Sequence, residues 1–208
     1  MRNGQQMFDT SAATNMAFMF EGLENLRSLD VSGFNTGRVE NMSTMFQNCV
    51  SLEALDVSGF NTSNVTAMDY MFNNCTGLRK LDVSSLDTHN VTDMRQMFFN
   101  CSGLKALDIT SFDTSSVTDF TKMFAKAGIL KGGLKTSGSF VFLDTGDLVV
   151  DDMFSDTIKF DVGGMKREDW QKKMTVAPQA SESTAFNSVD WLGEVLVELG
   201  YSKQEDID

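Results

Sequence analysis

The feature that most constrains this chain is a 26-residue period. Met-Phe recurs at Met19-Phe20, Met45-Phe46, Met71-Phe72, Met97-Phe98 and Met123-Phe124. Leu-Asp recurs on the same step at Leu29-Asp30, Leu55-Asp56, Leu81-Asp82 and Leu107-Asp108. Further columns keep the register: Leu26, Leu52, Leu78, Leu104; Phe34, Phe60, Leu86, Phe112; Thr36, Thr62, Thr88, Thr114; and Cys49, Cys75, Cys101. The segment from Phe8 aligns with the one from Phe112, which makes about four and a half units. One unit holds only part of a core, so its Leu, Val, Met and Phe must be buried by the units on either side, as in a one-dimensional stack.

Within a unit the pattern changes once. "LEALDVS" and its copies alternate apolar and polar residues, which predicts a short strand with Leu and Val inward and Asp and Ser outward. Gly, Asn, Ser and Thr around a central Phe or Leu predict a turn. Met42, Met45, Phe46 and Cys49 are spaced as neighbours on one face of a helix, with Asn and Thr just before them as N-caps. The resulting expectation is an α/β fold: a right-handed leucine-rich-repeat-like solenoid of four to five strand-turn-helix coils with a C-terminal cap.

"VTDMRQMFFNCSGLKALDITSFDTSSVTDF" resembles the 26-residue repeat of bacterial surface proteins of the BspA type, also found in mycoplasma lipoproteins and related to the leucine-rich repeat. The resemblance covers residues 8 to about 130. It implies a non-catalytic binding or adhesion module at a cell surface.

Domain boundaries follow from where the period stops. Residues 1–126 form the repeat array, and 127–174 gain glycine and alternating apolar residues that predict a β-rich capping region. Residues 175–187, around Pro178, have linker composition. Residues 188–208 predict an acidic amphipathic tail helix, with Trp191, Leu192, Val195, Leu196 and Leu199 on one face. That face is expected either to cover exposed repeat core or to dock in a partner's groove.

The remaining chemistry is sparse. The chain carries a formal net charge of -12 with no basic cluster, which argues against nucleic acid as a partner. No apolar run approaches the ~20 residues that span a bilayer, and the first residues lack the sections of a signal peptide. A cytosolic or organellar chain, or one whose targeting segment lies elsewhere, is the expectation from the residues alone, and peripheral association with a membrane complex stays open. His89 is the single histidine, in a turn column shared with Gly37, Ser63 and Ser115, so hydrolase and metal constellations built on two histidines are excluded. Asp144-Thr145-Gly146 matches the aspartic protease triplet, but its flanks read as a hairpin. No cofactor, metal or catalytic residue is expected, and the chain is not expected to be an enzyme.

The in-register Asp column must be compensated, since stacked carboxylates repel; hydrogen bonds from backbone N–H groups and neighbouring Ser or Thr are expected to do so, rather than calcium. Recognition is expected where copies differ on the strand face: Arg27, Glu53, Arg79 and Lys105, with Lys80 beside them. Mixed charge there suits a protein partner. The other expectation is a structural or linker subunit of a larger assembly, such as a membrane-associated or photosynthetic complex in an alga.

Overall fold

The structure is a computed structural model that describes residues 9–129 and 134–135. Successive 26-residue layers lie parallel and in register, tied by bridges from Asn15 to Asn41, Ala67, Asp93 and Asp119. The strands are short. β1 (Ala54–Asp56) pairs parallel with β2 (Lys80–Asp82), and β3 (Leu107–Asp108) pairs parallel with β4 (Leu134–Lys135). The step from β3 to β4 is 27 residues, one more than between β1 and β2. In the first layer, Leu29 and Asp30 belong to no strand.

The expected α/β solenoid of strand-turn-helix coils is overturned, because the described residues contain no helix. Met42 to Cys49 and its copies are runs of turns instead. The reason is where the backbone N–H groups go. A helix would send each to the carbonyl four residues back. Here Met42, Thr44, Phe46 and Asn48 send theirs to Ala67, Asp69, Met71 and Asn73 of the next layer, at 2.8–3.0 Å. The N–H groups of Met45, Gln47 and Cys49 close four-residue turns onto the carbonyls of Met42, Thr44 and Phe46. The same alternation repeats in the layers of Met68 and Met94.

This path needs left-handed residues. Phe18, Thr44, Tyr70, Gln96 and Lys122 form one column with φ of 53–64°, and Gly22, Asn48, Asn74, Asn100 and Lys126 form a second with φ of 54–71°. For residues other than glycine this conformation costs roughly 1–2 kcal/mol each. Interlayer hydrogen bonding offsets it, including amide-to-amide bonds from Asn74 to Asn48 and from Asn100 to Asn74.

Inward positions are those the columns indicate. Leu52, Val57, Val65, Met68, Met71, Phe72 and Cys75, with their copies in the layers that follow, are buried in one core. Phe20, Phe46, Phe72, Phe98 and Phe124 stack ring on ring, with centroids 5.5–5.7 Å apart and planes within 10°. At the opposite corner the buried threonine column clasps adjacent layers. Thr36 Oγ1 donates to the Asn61 carbonyl and accepts the Asn61 N–H, and Thr88 does both with Asp113. A single hydroxyl thus satisfies two backbone groups that would otherwise be stranded in the core.

The layers turn most of their corners with the same device, an Asp or Asn whose side-chain oxygen accepts the N–H two residues on; Ala67 is the exception in its column. Asp30, Asn35 and Asn41 do this in one layer, and Asp82, Asp87 and Asp93 in another. Of the capping region at 127–174, residues 127–129 and β4 are described. The linker at 175–187, the tail at 188–208 and the Asp144 triplet lie outside the described residues.

Candidate functional site

The strand-side edge of the stack carries one charged residue per layer in a single column. Arg27, Glu53, Arg79 and Lys105 are all exposed, as is Lys80. The column is held by backbone bonds from the Glu53 N–H to the Arg27 carbonyl and from the Arg79 N–H to the Glu53 carbonyl. Adjacent layers therefore place these side chains ~4.8 Å apart at the backbone. Arg27 pairs with Glu53 at 3.2 Å, both well exposed, so the pair adds little to stability. Lys105 Nζ donates to the Ser102 carbonyl at 3.1 Å. Arg79 makes no side-chain hydrogen bond or ion pair with any described residue.

Three residues further along each layer runs the aspartate column. Asp30, Asp56 and Asp82 have carboxyls held below the ordinary carboxylate range, first by the side-chain hydrogen bond from Ser32, Ser58 or Ser84 and second by that serine's N–H. The neighbouring aspartates push the other way for Asp56 and Asp82, but more weakly. The carboxylates thus stay ionised in register because each is bonded within its own turn. A column that is basic except at Glu53, beside an acidic column, is the result.

Such depressed values have a consequence for stability. A carboxyl whose folded value lies below its unfolded one stabilises the fold above the unfolded range, roughly pH 4, and this contribution is lost as pH falls through the lowered values. The triple variant Asp30→Asn, Asp56→Asn, Asp82→Asn is expected to show a shallower decline of melting temperature below about pH 4 than the parent chain. Equal slopes for the two proteins would remove the corner hydrogen bonds as its cause.

A second polar cluster lies on the turn side, and sequence reasoning did not single it out. Ser43 Oγ donates to the Asp69 carboxylate in the next layer. Arg95 reaches Asp93 at 2.6 Å and Asp119 at 3.8 Å. Burial raises the Asp93 carboxyl above its ordinary range, with the Arg95 N–H opposing it. The signal was available in two adjacent columns, Ser43/Asp69/Arg95/Thr121 beside Asn41/Ala67/Asp93/Asp119, which hold complementary charge.

The cysteines are fully buried and free, and they do more than fill the core. Each thiol donates to a phenylalanine carbonyl of the preceding layer: Cys49 to Phe20, Cys75 to Phe46 and Cys101 to Phe72, at 3.1–3.2 Å. Burial raises all three thiols, that of Cys101 to about 12, so they stay protonated and un-nucleophilic at neutral pH. His89 is partly exposed; its Nδ1 lies 2.6 Å from Asp87 and its Nε2 2.7 Å from the Asn90 amide. Both ring nitrogens are thus engaged within the turn. The tail-helix residues Trp191, Leu192, Val195, Leu196 and Leu199 lie outside the described residues. Among the described residues, no helix is long and apolar enough to cross a membrane.

Comparison with curated proteins and with solved structures returns no match. A family model does match, three times in overlapping registers, at residues 2–81, 49–160 and 77–189, as a 26-residue period allows. The chain belongs to the family described as Mycoplasma protein of unknown function, DUF285.

Proposed function

We propose that this chain is a non-catalytic protein-binding module of the surface or adhesion kind, which recognises its partner through the strand-side stripes. The observation that carries the reading is the exposed basic group of Arg79, Lys80 and Lys105 beside the ionised Asp56 and Asp82, set on layers that repeat in register. Parallel stripes of opposite charge are complementary to another protein's charged surface, and they act on association rate and orientation. The kinship of the repeat to the BspA-type surface proteins agrees with this. Many of the described Asp, Asn, Ser and Thr side chains hold turns and layers together, which favours binding over catalysis.

The test uses the full chain immobilised against extracts of cells or surrounding matrix. A specific protein ligand is expected to be retained by the parent chain, released by moderate salt, and bound at least about tenfold more weakly by Arg79→Glu, Lys80→Glu, Lys105→Glu. The variant's melting temperature should be unchanged, since these side chains are exposed. A ligand retained equally by both proteins would place recognition on another surface.

A further inference from the structure

The large apolar side chains exposed among the described residues occur in one place, the first layer: Phe18 is 60% exposed, Met19 41% and Leu23 42%. Among the described residues the interlayer hydrogen-bond ladder also stops there. The carbonyls of Asn41, Ser43, Met45 and Gln47 accept N–H groups from Met16, Phe18, Phe20 and Gly22 of the layer before. In the first layer the matching carbonyls belong to Asn15, Ala17, Met19 and Glu21, and no described residue donates to them. The ring ladder ends here as well: Phe20 stacks on Phe46, touches Phe34 at a tilt, and is only partly buried.

This edge therefore has a polarity. It presents acceptors at every second residue, an apolar flank and an aromatic face. A row of carbonyls cannot satisfy another row of carbonyls, so this segment does not pair face to face with its own copy. A helix uses its N–H groups internally, so its flank leaves the row unsatisfied. What fits is the donor edge of another layer of the same kind, because that is the interface repeated through the rest of the stack.

We propose that the edge formed by residues 15–23 is a docking site for a partner polypeptide that carries the same class of 26-residue repeat. The partner seats the N–H row corresponding to Met16, Phe18, Phe20 and Gly22 over the open carbonyls and lays an aromatic ring on Phe20. The mode is backbone augmentation of an open edge, with side-chain stacking setting the register. It uses a surface separate from the Arg79 stripe.

Two measurements test it on the full chain. The first probe is a synthetic peptide of residues 37–62, one complete layer, titrated against the chain with anisotropy and thermal melting as readouts. Saturable binding that raises the melting temperature, absent for a scrambled peptide and at least about tenfold weaker for Phe18→Asp, Met19→Asp, is the expected result. The second is a variant with residues 35–60 inserted in register ahead of Asp9, which should melt higher than the parent because the added layer covers Phe18 and Phe20. Two results overturn the proposal: an inserted layer that leaves melting unchanged or lowers it, and peptide binding that appears only after residues 188–208 are removed, which gives the edge to the chain's own tail.

Discussion

Replacing Phe72 by alanine will cost the fold about 3–5 kcal/mol, and for a chain of this size will lower its melting temperature by roughly 6–20 °C. Phe72 is fully buried, with Phe46 on one face and Phe98 on the other, both at 5.7 Å between centroids and within 10° of parallel. Its removal leaves a cavity that neither neighbour can fill, because each ring is held in its own layer by backbone bonds on both sides. The Phe72 N–H donates to Met97, and its carbonyl accepts from both Cys75 N–H and the Cys101 thiol. The backbone cannot collapse into the gap without breaking these. Phe20→Ala is the contrast: Phe20 is already partly exposed and has one stacked neighbour, so a loss about half as large is expected. Equal melting temperatures for the two variants would show that the ladder does not concentrate stability in its middle.

The sequence made the inward positions legible and misled about the backbone that presents them. Columns at a 26-residue step identify Leu52, Met68, Met71, Phe72 and Cys75 as core, since only burial keeps Met, Phe and Leu invariant from copy to copy within one chain. Spacing of 3, 1 and 3 residues between Met42, Met45, Phe46 and Cys49 is what a helix face shows. A run of four-residue turns gives the same spacing, because both conformations bring residues three apart to one side. Side-chain periodicity does not report where an N–H points. That choice is made by the neighbouring layer, which offers Ala67, Asp69, Met71 and Asn73 carbonyls in register.

Two local signals pointed the right way. The column Gly22, Asn48, Asn74, Asn100 and Lys126 consists, Lys126 apart, of the residue types that best tolerate the left-handed region, and in all five positions φ is positive. The second left-handed column, with Phe18, Thr44, Tyr70, Gln96 and Lys122, carries no such preference and could not have been found from composition. The corner turns were present as Asp-Val-Ser and Asn-Thr-Ser, and were read as outward faces of strands and as generic turns. The threonine column was visible as a column, yet its role as a two-way clasp depends on a contact 25 residues away, which no local pattern encodes.

Of the candidate site, the exposure of Lys80 followed from strand alternation, whereas Arg27, Glu53, Arg79 and Lys105, two residues from the buried Leu column, are exposed because they lie outside the short strands. The Arg95 cluster did not, because Asp93 and Asp119 meet Arg95 across layers as well as along the chain.

Gly103→Ala is expected to destabilise the chain by roughly 2–4 kcal/mol although it adds a single methyl group. A Cβ at Gly103 would lie 2.6 Å from the Thr76 carbonyl oxygen and 2.7 Å from that of Leu78. Both are backbone atoms of the preceding layer, so no side chain can swing aside. Relief requires the layers to part locally, and they are fastened on either side. The Cys101 thiol donates back to Phe72, and its carbonyl accepts the Gly128 N–H from the following layer. Separation at Gly103 therefore strains hydrogen bonds toward both neighbours, and the damage spreads along the stack. Gly59→Ala is the matched control, because its nearest backbone contact, the Ser32 carbonyl, lies at 3.8 Å, an ordinary van der Waals distance. That variant should melt within about 0.5 kcal/mol of the parent, measured by the same denaturant titration. If Gly103→Ala proved equally neutral, the layers would be free to part at that point, and the stability of the stack would not depend on the close approach that glycine permits.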